Sequence, residues 1–256
     1  MRVIKSMLIA FSMYSRIPVP QFPWKDEDMK YVMCFFPAVG LVIGTAVFGW
    51  GMLAQAFSMG NVMYALIGAA LPLFLSGGIH LDGYMDTMDA LHSYESRERK
   101  LEILKDPHIG AFSVIGLLLF YAVYIGAFSE IRSPRALGIL AAGFWLSRIG
   151  SAFAVVSLPC AKREGTVFLF SGKAQEKTVK AVLLLELFFC LVLLTVLGGA
   201  AGLLPAAGAF VTYCYSSMKC KKEFGGITGD TAGWFLTLCE GVMAVLTALL
   251  CLFHRL

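Results

Sequence analysis

The chain has 256 residues, of which 58% are hydrophobic and only 15% charged, and its mean hydropathy is +0.75. Soluble globular domains carry roughly 25% charged residues, so the composition excludes a water-soluble enzyme, a disordered chain and a disulfide-stapled secreted domain. A formal net charge of +4 is small; it implies no nucleic-acid partner and matters only through its placement.

Residues 1–15 form a short amphipathic stretch closed by Arg16-Ile17-Pro18-Val19-Pro20. It reads as an interfacial or re-entrant helix, with an eighth span as the alternative; the arginine and prolines interrupt any signal-peptide pattern. Apolar runs follow at roughly 31–56, 62–80, 109–130, 136–159, 180–199, 201–218 and 232–253, each near the ~20 residues that cross about 30 Å of hydrocarbon. The expected fold is therefore all-α: a polytopic transmembrane bundle of about seven spans plus the N-terminal helix, forming one domain over residues 1–256. Gly40 and Gly44 make a small-x-x-x-small pattern suited to helix packing, which leaves open whether the contact lies within one chain or in a homo-oligomer. The seven cysteines are scattered and signal no zinc or redox site.

Placement of Lys and Arg tests that layout independently. Residues 1–30 hold five, 81–108 four, 160–180 five and 219–222 three. The alternate connections hold only Arg132, Arg135 and Arg255. The positive-inside rule then puts the N-terminus and the polar loops in the cytoplasm, and the protein in the cytoplasmic membrane with its chemistry facing inward.

Three polar islands lie on that side. The first, Ser76-Gly77-Gly78-Ile79-His80-Leu81-Asp82-Gly83-Tyr84-Met85-Asp86-Thr87-Met88-Asp89, places Asp82, Asp86 and Asp89 at i, i+4 and i+7, three carboxylates on one helix face. Mutual repulsion there is relieved by a hard divalent cation, and Mg²⁺ is ordinarily held by one or two carboxylates, waters and substrate phosphates. The bland alternative is a solvated helix end paired with Arg97, Arg99 or Lys100; His80 suits a substrate or proton-transfer role, or a structural one. The second island, Glu95 to Gly110, is mostly a solvated mixed-charge helix, from which Lys105, Asp106 and His108 stand out at the point of membrane re-entry. In the third, Lys219 to Asp230, the run Gly225-Gly226-Ile227-Thr228-Gly229-Asp230 has glycines, Thr228 and Asp230 at a helix start, which suits phosphate and metal binding or simply an N-cap. Within spans, Arg148 and Glu240 point to each other or to a ligand, while Glu186 suits the interface. Ser171-Gly172-Lys173 lacks the spacing of a Walker A loop, so ATP hydrolysis is not implied.

Phe11 to Pro20, Gly77 to Asp89, Arg99 to Gly110, Ala161-Lys162-Arg163-Glu164-Gly165 and Gly225 to Asp230 together resemble the cobalamin synthase family, the adenosylcobinamide-GDP ribazoletransferases, over nearly the whole chain. Ala90, Pro107-His108 and Ala232-Gly233-Trp234 depart from the usual family residues. The resemblance implies a Mg²⁺-dependent reaction in which a ribosyl hydroxyl of α-ribazole, or of its 5′-phosphate, displaces GMP from adenosylcobinamide-GDP. Under it, Asp82, Asp86, Asp89 and Asp230 are the metal candidates, and Asp82, Asp86 or Asp106 the catalytic carboxylates. Arg16, Lys105, Arg148 and Lys162 would steady phosphates, and His80 and Thr228 would orient substrate. A CDP-alcohol phosphotransferase also uses Asp-Gly and spaced aspartates, but its following Ala-Arg is replaced here by Asp86-Thr87. A transporter would carry its charges nearer the midplane.

Overall fold

The computed structural model describes residues 2–162 and 165–255. Among them are eleven α-helices and no strand: α1 (Arg2–Tyr14), α2 (Val32–Ala56), α3 (Asn61–Ser76), α4 (Ile79–His92), α5 (Arg97–Ile103), α6 (Ala111–Glu130), α7 (Pro134–Ser157), α8 (Thr166–Lys173), α9 (Glu176–Gly198), α10 (Leu203–Lys219) and α11 (Gly229–Leu252). A 3₁₀ turn, Asp26–Tyr31, leads into α2, and a single π turn, Cys220–Phe224, continues α10. Five segments are long and apolar enough to cross a bilayer: Asp26–Ala56, α6, α7, α9 and α11. α10, at 17 residues, spans roughly 25 Å at 1.5 Å per residue. α1, at 13 residues, reaches only about 20 Å and packs along α2, as a short accessory helix does.

One expected run needs correcting. The stretch 62–80 is not a single helix: α3 stops at Ser76, and α4 leaves at 95° to it. Gly77 and Gly78 have φ of +70° and +82°, left-handed values that glycine adopts without the Cβ penalty of other residues. Two in succession stop one helix and start the next in a new direction. α4 therefore runs across the end of the bundle instead of through the layer.

α7 is the centre of the bundle. It has no polar face, and 78% of its most apolar window is buried, against 17% for α9 at the rim; a helix apolar all round belongs in the core of a bundle. α2 packs against it at close range: a Cβ on Gly40 would stand 2.2 Å from the carbonyl oxygen of Phe144, and one on Gly44 2.2 Å from that of Ala141. The glycine pair thus serves a contact within the chain.

The two ends of the bundle are tied separately. At one, Gln55 donates to the Arg132 carbonyl at 2.6 Å, Arg132 donates to Asn61 at 2.7 Å, and the Tyr64 hydroxyl donates to the Ile131 carbonyl. At the other, Gln175 N–H donates to the Lys30 carbonyl at 3.2 Å and Arg16 N–H to that of Leu75 at 2.8 Å. The sparsely charged connections thus gather at one end and the basic ones at the other, as the loop charges require. Among the described residues no disulfide links any of the seven cysteines.

Candidate active site

The first and third islands meet because two helices cross on glycine. A Cβ on Gly83 of α4 would lie 2.7 Å from the carbonyl oxygen of Asp230, and one on Gly233 of α11 2.8 Å from that of His80. Each helix presents a glycine where the other's backbone arrives, so the axes come closer than any side chain would allow. Thr237 adds a hydrogen bond from its hydroxyl to the His80 carbonyl at 3.4 Å. Asp230 is thereby set beside Gly83, next in sequence to Asp82 and one turn from Asp86.

Lys162 is brought in by the backbone. Ile227 N–H donates to the Pro159 carbonyl at 2.8 Å, and Ala161 N–H to that of Ile227 at 3.0 Å, a two-bond parallel bridge between the loop after α7 and the turn before α11. Gly226 permits it, since a Cβ there would fall 2.2 Å from the Pro159 carbonyl oxygen, and Gly225 turns the chain at φ +79°. The result is electrostatic. Burial and the charges of Asp82, Asp230 and Asp89 push the Asp86 carboxyl up to about 7, with Lys162 opposing them. Arg163 and Glu164, the rest of that basic loop, lie outside the described residues. Arg16 also reaches the rim: it is exposed, and its side chain lies against Gly77 at the start of the break.

The remaining candidates fall elsewhere. Asp89 carries a duty its spacing does not reveal: its two oxygens accept the N–H groups of Gly110 at 2.8 Å and Ser113 at 2.9 Å. It caps the start of α6 from a neighbouring helix. Thr228 is the N-cap of α11, accepting the Thr231 N–H at 3.1 Å while Thr231 Oγ1 accepts the Thr228 N–H at 2.8 Å; its hydroxyl also lies 3.4 Å from Asp230 Oδ2. Lys105 and Asp106 are exposed on the connection to α6. Asp106 Oδ1 accepts from His108 N–H and ring Nδ1 at 3.0 and 2.7 Å, which holds its carboxyl below the usual range. Asp106 is not among the charges acting on Asp86.

Arg148 takes the inward pairing with Glu240 that its place in a span also allowed. Expected to steady substrate phosphates, it is 1% exposed in the middle of α7 and forms an ion pair with Glu240 of α11. It also donates to Ser147 Oγ at 2.9 Å and to the Phe144 carbonyl at 3.2 Å. Its guanidinium is enclosed nine residues from the end of α7, roughly 14 Å in, and lines a cavity shared with His80. His80 is buried between the two regions, stacked on Tyr14 at 6.0 Å and edge-on to Phe36 at 5.7 Å. Among the described residues its Nε2, the Tyr124 hydroxyl and Arg148 Nε have no protein partner, and their residues line a cavity of about 40 Å³, room for one or two waters. Glu186 does not reach solvent fully either; one carboxylate oxygen is enclosed.

A supporting pair was not legible as such. Lys100, expected on a solvated face, is 7% exposed and meets Glu223 at 2.5 Å. Arg97 packs against Gly225 and donates to the Lys222 carbonyl at 3.5 Å, so α5 braces the turn that delivers Asp230. The i, i+4 relation of Lys100 to buried Leu104 was the available signal.

Among the described residues, no three His, Cys, Asp or Glu side chains are arranged to hold a metal ion by themselves. The donor chemistry nevertheless fits Mg²⁺, which takes few protein ligands and completes its shell with water and phosphate oxygens. Carboxylates from two helices share one field here, opposed by Lys162.

The chain matches the family model described as cobalamin-5-phosphate synthase over residues 6–249. A protein of Lachnoclostridium phytofermentans named adenosylcobinamide-GDP ribazoletransferase is 39% identical over 94% of this chain and 92% of its own length. Proteins of the same name from Clostridium perfringens (strain ATCC 13124) and Geobacillus kaustophilus are 34% and 30% identical, covering 92% and 96% of this chain and 94% and 95% of their own. No solved structure matches. With a match over residues 6–249 and the glycine-mediated crossing that unites its two acidic islands, the chain belongs to the cobalamin-5-phosphate synthase family.

Proposed function

We propose that this chain is itself an adenosylcobinamide-GDP ribazoletransferase, with its reaction centre at Asp82, Asp86 and Asp230. A ribosyl hydroxyl of α-ribazole, or of α-ribazole 5′-phosphate, attacks the cobinamide-side phosphorus of adenosylcobinamide-GDP. The new P–O bond forms as the bond to the GMP oxygen breaks, GMP leaves, and the hydroxyl proton passes to a carboxylate of the cluster. Asp86 suits that proton, since general bases work best with a pKa near the working pH and its carboxyl is pushed up to about 7. Asp106 suits it less, because His108 holds its carboxyl low.

The observation that carries this reading is the junction of α4 and α11, which sets carboxylates from both islands beside Lys162. Asp82 and Asp230 would hold Mg²⁺ together with substrate phosphate, leaving Asp86 beside them to take the proton, Asp89 adding negative field from its capping position. When bound, the ion neutralises phosphate charge and polarises the reacting group. Lys162 and Arg16 steady phosphate oxygens from the rim; Thr228 acts by positioning Asp230. The positive-inside distribution supports a site facing the cytoplasm in the cytoplasmic membrane.

Membranes carrying the protein, given adenosylcobinamide-GDP and α-ribazole 5′-phosphate, are expected to release GMP in step with a joined corrinoid product, and only with Mg²⁺. Uptake of the corrinoid into sealed vesicles without chemical change, or turnover indifferent to Mg²⁺, would overturn it.

A further inference from the structure

α9 and α10 follow each other in sequence yet hardly touch; each leans on α7 or α11 instead. Between them lies a cavity of about 550 Å³ with an almost wholly apolar wall, including Ile149 and Phe153 of α7, Leu187 of α9, Phe210 of α10 and Phe235 of α11. An apolar cavity of about 150 Å³ already takes a benzene-sized guest and stays dry, so this space suits hydrocarbon and not water. Its depth is informative. Along α9 the wall runs from Leu183 to Leu191 and along α10 from Leu203 to Tyr213, which at 1.5 Å per residue is roughly 12–15 Å. That is the length of acyl chain in one leaflet of a ~30 Å hydrocarbon core, and on α10 the wall reaches Leu203, the helix's first residue, at the end away from the acidic cluster.

The end marked by Phe153, Leu183 and Tyr213 is the end at which α11 starts, so it is the end that carries the acidic cluster. There the apolar wall meets positive charge. Lys180 stands one turn before Leu184 with Nζ 6.0 Å from the Phe153 ring centroid, where it also pairs with exposed Glu176 at 2.5 Å. Lys177 is exposed one turn earlier, and the Tyr213 hydroxyl is hydrogen-bonded to Ser217. Amphipathic tyrosine and snorkelling lysine are the groups that meet lipid headgroups.

We propose that the cleft between α9 and α10 binds one acyl chain of an anionic phospholipid from the leaflet on the acidic-cluster side, with the headgroup phosphate at Lys180, Lys177 and Tyr213. A cleft one acyl chain long with a cationic rim fits this occupant better than a second copy of the chain, whose helices cross the whole layer. The inference is independent of the transferase reading.

The test is native mass spectrometry of the full-length protein in mild detergent, with dioleoyl phosphatidylglycerol or dioleoyl phosphatidylcholine added. Wild type is expected to retain several-fold more phosphatidylglycerol. Ala207→Trp, which fills the cleft, is expected to lower retention of both lipids several-fold, and Leu204→Trp, on the same helix outside the cleft, to change neither. Lys180→Gln is expected to remove the preference for the anionic lipid while leaving chain binding. This surface substitution keeps the test decisive if Ala207→Trp does not fold, as judged by its melting temperature in the same detergent. Equal retention of the two lipids by wild type, or equal behaviour of Ala207→Trp and Leu204→Trp, overturns the proposal. So does a dimer mass that Ala207→Trp abolishes, which would assign the cleft to a second copy.

Discussion

Asp86 is the residue on which the local electrostatics converge. Its carboxyl sits near neutrality because burial comes first and three like charges follow, with only Lys162 in opposition. The folded pKa of about 7 lies above the ordinary value of 3.8, so the fold binds this proton more tightly than the unfolded chain does. The associated stability is complete below about pH 4 and is lost as pH rises through about 7. Thermal unfolding in detergent should accordingly show a lower Tm at pH 8 than at pH 5 without divalent cation, and a larger Mg²⁺-induced rise at pH 8. Asp86→Asn should flatten both differences and cut turnover at least ~100-fold, the lower end of what a positioned acid–base group contributes. An identical Mg²⁺ shift at both pH values would show that the ion does not lie beside this carboxylate.

Arg148 and Glu240 illustrate a second kind of charged residue. Leaving one member of a buried pair without the other costs about 3–5 kcal/mol, whereas replacing both with packed apolar groups is often neutral. Glu240→Leu should therefore destabilise the bundle severely, and the double variant Arg148→Met/Glu240→Leu should recover most of the loss. Because neither side chain touches the acidic cluster, the double variant should retain transferase turnover per folded molecule. A double variant that folds but is inactive would return Arg148 to the reaction.

At the scale of elements, the site depends on two helices approaching along their backbones. A Cβ at Gly83 or Gly233 would meet backbone atoms of the opposing helix at under 3 Å, and backbone cannot swing aside as a side chain end does. Gly83→Ala and Gly233→Ala are expected to push α4 from α11 and lower activity at least tenfold while the protein still reaches the membrane. Gly49→Ala, where nothing lies within 4 Å, should be silent. A second joint is Asp89, which ties α4 to the start of α6 through Gly110 and Ser113. Asp89→Ala should cost about 1 kcal/mol, as lost caps do, and raise hydrogen exchange at those two amides. Much of this local structure was legible in the chain: the apolar runs became helices, and Gly77-Gly78 marked a place where something turns. The 95° bend was not, because hydropathy reports how apolar a stretch is and not the direction in which it continues.

Across the whole molecule, the polar connections sort to one end and the sparse ones to the other, each end tied by its own hydrogen bonds. Cysteine substitutions at exposed Lys222 and Arg135, in a background cleared of native thiols, should label from opposite faces with a membrane-impermeant maleimide. Lys222→Cys should react only after permeabilisation. Labelling of Lys222→Cys alone from outside intact cells would invert the topology, and labelling of both would break it.

What the sequence determined alone was the class of solvent, the approximate spans and the residue types able to handle phosphate, because hydropathy and carboxylate spacing are each local properties of the chain. Tertiary structure decided which of those charges share a site. Asp82 and Asp230 come from distant parts of the chain and meet only because glycines let α4 and α11 close on each other. Arg148, equally conspicuous as a charge in an apolar run, is turned inward to Glu240 by the packing of α7 on α11. Cationic character can be read from a residue, but whether it faces a ligand or a partner depends on what the fold places within a few ångströms of it.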